Sequence, residues 1–170
     1  MSHPQSDDLI DSLLGLNPEG TTWQARRFRE KARQGTQDSY DTLFSSNLSL
    51  PLEARWLVAL YASRLSKAPE LSAHYLAQAK AHGANAERIQ QIESDAVDAV
   101  QDGPLQAMLL FTKKLIENPI EGDQAALLEL KAAGLSTPEV VTLAQLVAFL
   151  SYQTRLVAGL RALRDAEAQA

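Results

Sequence analysis

Residues 50–83, LPLEARWLVALYASRLSKAPELSAHYLAQAKAHG, decide the fold, because they read as two helices joined by a short turn. Pro51 suits the first turn of a helix, where a missing N–H costs nothing, and Leu52, Trp56 and Leu60 with Leu57, Tyr61 and Leu65 then recur at helical spacing. This first helix is expected to be mostly buried. Lys67-Ala68-Pro69 breaks it, Pro69 opens a second helix, and Gly83 follows His82 where a left-handed helix end is expected. In the second helix Glu70, His74 and Gln78 stand four apart and share one face. A carboxylate beside an imidazole can do acid–base work, and it can equally be a surface pair. His74 is the best candidate chemical group in the chain.

Outward from this hairpin, composition limits what the rest can be. The 170 residues suit one domain, and 45% hydrophobic with 22% charged residues describes a globular chain rather than a disordered one. Aromatic residues make up only 6%, and Ala and Leu dominate, which favours helix packing over sheets. A net charge of −5 argues against general nucleic-acid binding, which needs a basic footprint. There is no cysteine, so disulfides, thiolate metal sites and every thiol mechanism are excluded. The first eight residues lack a basic region followed by an apolar core, so no secretory signal is expected and a cytoplasmic location is the default.

Before the hairpin, Asp7 and Asp8 precede Leu9-Ile10 and Leu13-Leu14, a short amphipathic helix ending near Gly15 and Asn17-Pro18. With its turn it forms a brace over residues 1–20. Thr21 or Thr22 is placed to cap a longer helix through Trp23, Phe28 and Ala32, continuing past Gly35 to Phe44. Its basic cluster of Arg26, Arg27, Arg29, Lys31 and Arg33 is expected to be a solvated face. After the hairpin, Asn85 caps a short helix with Ile89 and Ile92, and Asp102-Gly103-Pro104 restarts the chain into a core helix ended by Asn118-Pro119. A helix over 125–133 stops at Gly134, and Ser136-Thr137-Pro138-Glu139 reads as a capping box. The last helix, spanning 136–163 with its cap, carries only Thr142 and Gln145 as polar residues between Val140 and Leu150, and is expected to be the central helix. Gln153, Arg155 and Arg161 interrupt it too early for a membrane span.

These residues resemble the carboxymuconolactone decarboxylase and AhpD-like alkylhydroperoxidase superfamily. Leu50-Pro51 through Leu60, then His74, Ala79 and His82-Gly83, are similar to its helix–turn–helix core. Ala132 to Ser136, then Leu143, Ala148-Phe149, Tyr152 and Arg155 to Leu160, are similar to the C-terminal helix of its peroxidase-related members. The resemblance implies an all-α helical bundle, a homo-oligomer, and no metal or organic cofactor. It also exposes a departure. Placing the family histidine on His74 puts Lys67 and Glu70 where the thiol peroxidases carry cysteines, and Arg55 where their relay glutamate sits, with Glu53 close by.

Two functions are therefore open. In one, His74 moves a proton, oriented by Glu70, on a small organic substrate in an apolar pocket lined by Trp56, Tyr61 and Tyr75. In the other, the chain is a silent assembly partner of a cysteine-containing relative. Arg155, in an otherwise apolar helix, is read as a structural ion pair, with an anion anchor as the other option. Metal binding is not expected from one His and one Glu.

Overall fold

The computed structural model describes residues 8–169, and among them all regular structure is helical. The order is α1 (Leu9–Leu14), α2 (Thr21–Arg27), α3 (Glu30–Leu43), α4 (Leu52–Leu65), α5 (Pro69–Ala81), α6 (Ala86–Glu93), α7 (Gly103–Glu117), α8 (Gln124–Ala132) and α9 (Thr137–Glu167). Short 3-10 turns at Val97–Ala99 and Pro119–Glu121 flank α7.

The helix at the centre is α4, not α9. Every residue from Ala54 to Ser63 is buried, and α5, α6, α7 and α9 all pack on it. Sequence periodicity misses this because α4 has no polar face to contrast with its apolar one. Leu57, Val58 and Ala59 are 0% exposed, so truncating Leu57 to Ala would cost about 2–5 kcal/mol. The longer α9 is buried on one side only. Val141, Gln145, Ala148, Tyr152, Arg155 and Gly159 form an exposed line along it.

Local signals place the ends as read. Pro69 and Pro104 lie in the first turns of α5 and α7, Asn85 caps α6, and Ser136 with Glu139 closes a capping box on α9. Gly83 and Gly134 take φ of 73° and 99°, which a side chain would strain, and so end α5 and α8.

The N-terminal brace is tied by charge. Asp8 caps α1 by accepting the Ile10 and Asp11 N–H groups, and its carboxylate also takes Arg26 at 2.6 Å and Arg33 at 3.1 Å. Arg27 holds Asp11 at 2.7 Å, and Arg26 reaches Asp11 as well. The expected solvated face holds for Arg29 and Lys31, which are exposed, whereas Arg26, only 9% exposed, with Arg27 and Arg33 forms a clamp on the brace. Asp7 lies outside the described residues. The helix expected over 21–44 breaks at Phe28-Arg29 into α2 and α3, and neither Thr21 nor Thr22 caps it. Gly20 holds the cap position, and Glu167 of α9 accepts the Thr21 and Thr22 N–H groups instead.

Candidate functional site

His74 lies mid-way along α5, half-buried against Tyr40 of α3. Its Nε2 is 2.8 Å from the Tyr40 hydroxyl of α3. Its Nδ1 takes no partner among the described residues. Burial holds the imidazole below the ordinary histidine range, so it is neutral near pH 7. Burial, with Asp41 nearby, pushes the Tyr40 phenol up, so it stays protonated.

Glu70 does not orient His74. Both carboxylate oxygens face Arg161 of α9, at 3.0 and 3.1 Å. Burial works to raise this carboxyl, but its own backbone N–H and Arg161 outweigh it, and the group sits below its usual value. Helical spacing put Glu70 and His74 on one face. A stronger partner on another helix took the carboxylate.

Around the Tyr40–His74 pair stands an aromatic shell. Phe44 stacks on Trp56 at 3.9 Å between ring centres, Tyr40 meets Phe44 at 5.0 Å, His74 meets Tyr75 edge-on at 5.1 Å, and His82 lies 5.2 Å from Trp56. The Trp56 Nε1–H is buried in this shell without an acceptor, a cost of about 1–3 kcal/mol. The residues expected to line a pocket are core instead. Trp56, Tyr61 and Tyr75 are 3%, 1% and 0% exposed. Tyr61 donates to Asp95 at 2.7 Å, and Tyr75 donates to Gln153 of α9. Arg155 is exposed and, among the described residues, donates only to the Ser151 carbonyl and forms no ion pair, so it is not the buried structural pair expected.

Two residues that periodicity could not single out belong to this region. Tyr40 comes from a helix thirty-four residues earlier, and no local spacing ties it to His74. Arg55 is 1% exposed and bonds no carboxylate among the described residues. Its Nε donates to the Leu50 carbonyl at 2.9 Å and its Nη1 to that of Leu43, so the guanidinium staples the end of α3 to the start of α4. It cannot stand in for a relay carboxylate. Nor does Glu53, whose carboxylate is held at 3.1 Å by Arg88 and accepts the Asn85 N–H.

A separate cleft of about 360 Å³ opens between the starts of α4, α7 and α9, over Leu50, Leu105, Met108 and Leu135. Its charges satisfy one another, since Arg88 bridges Glu53 and Asp102. No group of three His, Cys, Asp or Glu side chains able to hold a metal occurs among the described residues.

Known structures share this arrangement of helices. An uncharacterized peroxidase-related protein from Silicibacter sp. TM1040 superposes with a TM-score of 0.72 at 16% identity, over 94% of this chain and 85% of that one. The fold is AhpD-like. A cysteine-to-alanine form of the debrominase Bmp8, in complex with 2,3,4-tribromopyrrole, superposes with a TM-score of 0.70 at 16% identity, over 92% of this chain and 83% of that one. Neither a family model nor a curated protein sequence matches the chain. The expected fold class therefore stands, on a chain with no cysteine to carry thiol chemistry.

Proposed function

We propose that this AhpD-like chain acts on a small organic molecule by proton transfer, with His74 as the base and Tyr40 as the residue that holds it. The observation that carries this reading is the 2.8 Å contact between His74 Nε2 and the Tyr40 hydroxyl. A neutral imidazole held at one nitrogen keeps the other, Nδ1, for a substrate proton. In the neutral tautomer that acts as base, Nε2–H donates to the Tyr40 oxygen and leaves the Nδ1 lone pair free; when Nδ1 takes the substrate proton, that same bond becomes charge-assisted. The Nδ1 lone pair forms the new N–H bond and the pair of the broken bond stays on the substrate, so no oxidation state changes and no redox partner is needed. Glu70 has no part in the step. A neighbour of the same fold holds 2,3,4-tribromopyrrole in a form whose cysteine is replaced by alanine, which supports a small ring compound as the ligand class.

The second reading, a silent assembly partner of a relative that has cysteines, draws on a different observation. Trp56 and Tyr75 close the shell around His74, and Tyr61 is buried elsewhere in the core against Asp95, instead of lining a pocket. The two readings separate in one experiment. Saturation-transfer NMR with a panel of small azoles and phenols should show binding in the parent that weakens about tenfold in His74→Ala. No binding by any member would favour the silent partner.

A further inference from the structure

The clamp on the brace leaves one guanidinium arm unpaired. Arg26 donates from Nη1 to Asp8 at 2.6 Å and to Asp11, yet its Nη2 is buried with no acceptor among the described residues. A buried donor left unmade is costly, and an oxyanion is what a guanidinium fork fits. Arg29, three residues on, is exposed and forms no ion pair among the described residues. Asp8, Asp11 and Glu30 answer Arg26, Arg27 and Arg33, so the charge of Arg29 is left over.

Arg26 and Arg29 both line a cleft of about 260 Å³ where the α2–α3 arm meets α9, with Arg33 beside them and no carboxylate in the lining. The opposite wall is hydrocarbon. Leu156, Leu160 and Leu163 of α9 stand four and three residues apart, a stripe about 10 Å long at about 1.5 Å per residue. Leu160 is 8% exposed and Leu163 55%, so the stripe runs from the interior to the surface. The Thr36 and Tyr152 hydroxyls, also in the lining, bond each other at 2.9 Å, and Thr36 bonds the Ala32 carbonyl. The arginines are therefore the polar groups of the cleft with bonding capacity to spare.

We propose that this cleft binds a medium-chain fatty carboxylate, its head taken by Arg26 Nη2 and Arg29 and its chain laid along the leucine stripe. The head gains charge-assisted bonds from a donor that neither protein nor water fills. The chain covers apolar surface that now faces solvent at Leu163. A volume under the ~300 Å³ of the smallest drug-sized sites suits one unbranched chain. Inorganic phosphate would leave the leucines wet, and an uncharged alcohol would leave Arg29 without its counter-charge. Neither His74 nor Tyr40 lines the cleft, so the inference is independent of chemistry at that pair.

Isothermal titration of the full chain with sodium octanoate should give one saturable site. Octanol, with the chain but no charge, and inorganic phosphate, with charge but no chain, should each bind at least about tenfold more weakly. Arg29→Gln and Leu163→Asp, both at exposed positions, should each weaken octanoate about tenfold while keeping the parent's helical circular dichroism. His74→Ala should bind it as the parent does. In nitrogen NMR the Arg26 Nη2 signal should shift as octanoate is added, which a contact with surface cations alone would not cause. No saturable binding, octanol bound as tightly as octanoate, unchanged affinity in Arg29→Gln and Leu163→Asp, lost affinity in His74→Ala, or an Arg26 signal that stays put would each overturn the proposal.

Discussion

Tyr40 holds His74 at 2.8 Å while Glu70, one turn before His74, is held by Arg161. Burial of this imidazole, with no carboxylate beside it, sets how it responds to pH. The folded His74 titrates below its ordinary value of 6.5, so the unfolded chain binds the proton more readily. The stability that goes with neutral His74 is fully present above pH 6.5 and is lost as pH falls through the folded value. Urea unfolding of the parent and of His74→Gln should show the parent losing stability faster between pH 7 and pH 5. Parallel curves would contradict this.

With no thiol in the chain, hydroperoxide reduction by dithiols should not exceed a no-protein control. Thiol-specific disulfide reagents should leave any activity unchanged. Turnover well above the control would require another redox group.

Arg55 holds α3 and α4 together through the carbonyls of Leu43 and Leu50. Arg55→Met would leave these acceptors unpaired and should cost about 3 kcal/mol in urea unfolding. A loss under about 1 kcal/mol would mean the staple contributes little.

At Asp8, burial raises the carboxyl, but Arg26, the Asp11 N–H and Arg33 outweigh it and hold it below 3.8. Its contribution is present above that value and is lost as pH falls through the folded one. Asp8→Asn keeps a capping side chain but leaves Arg26 short of a charge, and should cost about 3 kcal/mol at pH 7. The gap from the parent should narrow as pH falls below 3.8 and through the folded value, as thermal melts would show. A gap that does not change with pH below 3.8 would assign the effect to packing.

Much of the fold is legible in local chemistry. Pro51, Pro69, Pro104 and Pro138 mark helix starts, and Gly83 and Gly134 mark ends, because each acts through its own backbone. What the sequence hides is set by distance in the chain. Glu167 completes the start of α2 from the far end of α9, and Tyr40 reaches His74 from another helix. The rank of α4 over α9 is hidden for another reason: both are apolar, and only packing shows which is covered on every side. At the site, His74 was legible as a lone histidine on a helix that needs a buried face, but its partner was not. The four-residue rule states which side chains can meet, and Arg161 decided that Glu70 would not.

The most direct test of the proton-transfer account is an NMR titration of His74 in the parent, Tyr40→Phe and Glu70→Gln proteins. The account predicts a midpoint below the ordinary 6.5 in the parent, a lower one still in Tyr40→Phe, where the imidazolium loses its acceptor, and no change in Glu70→Gln. A midpoint that moves with Glu70→Gln and stays put with Tyr40→Phe would contradict it.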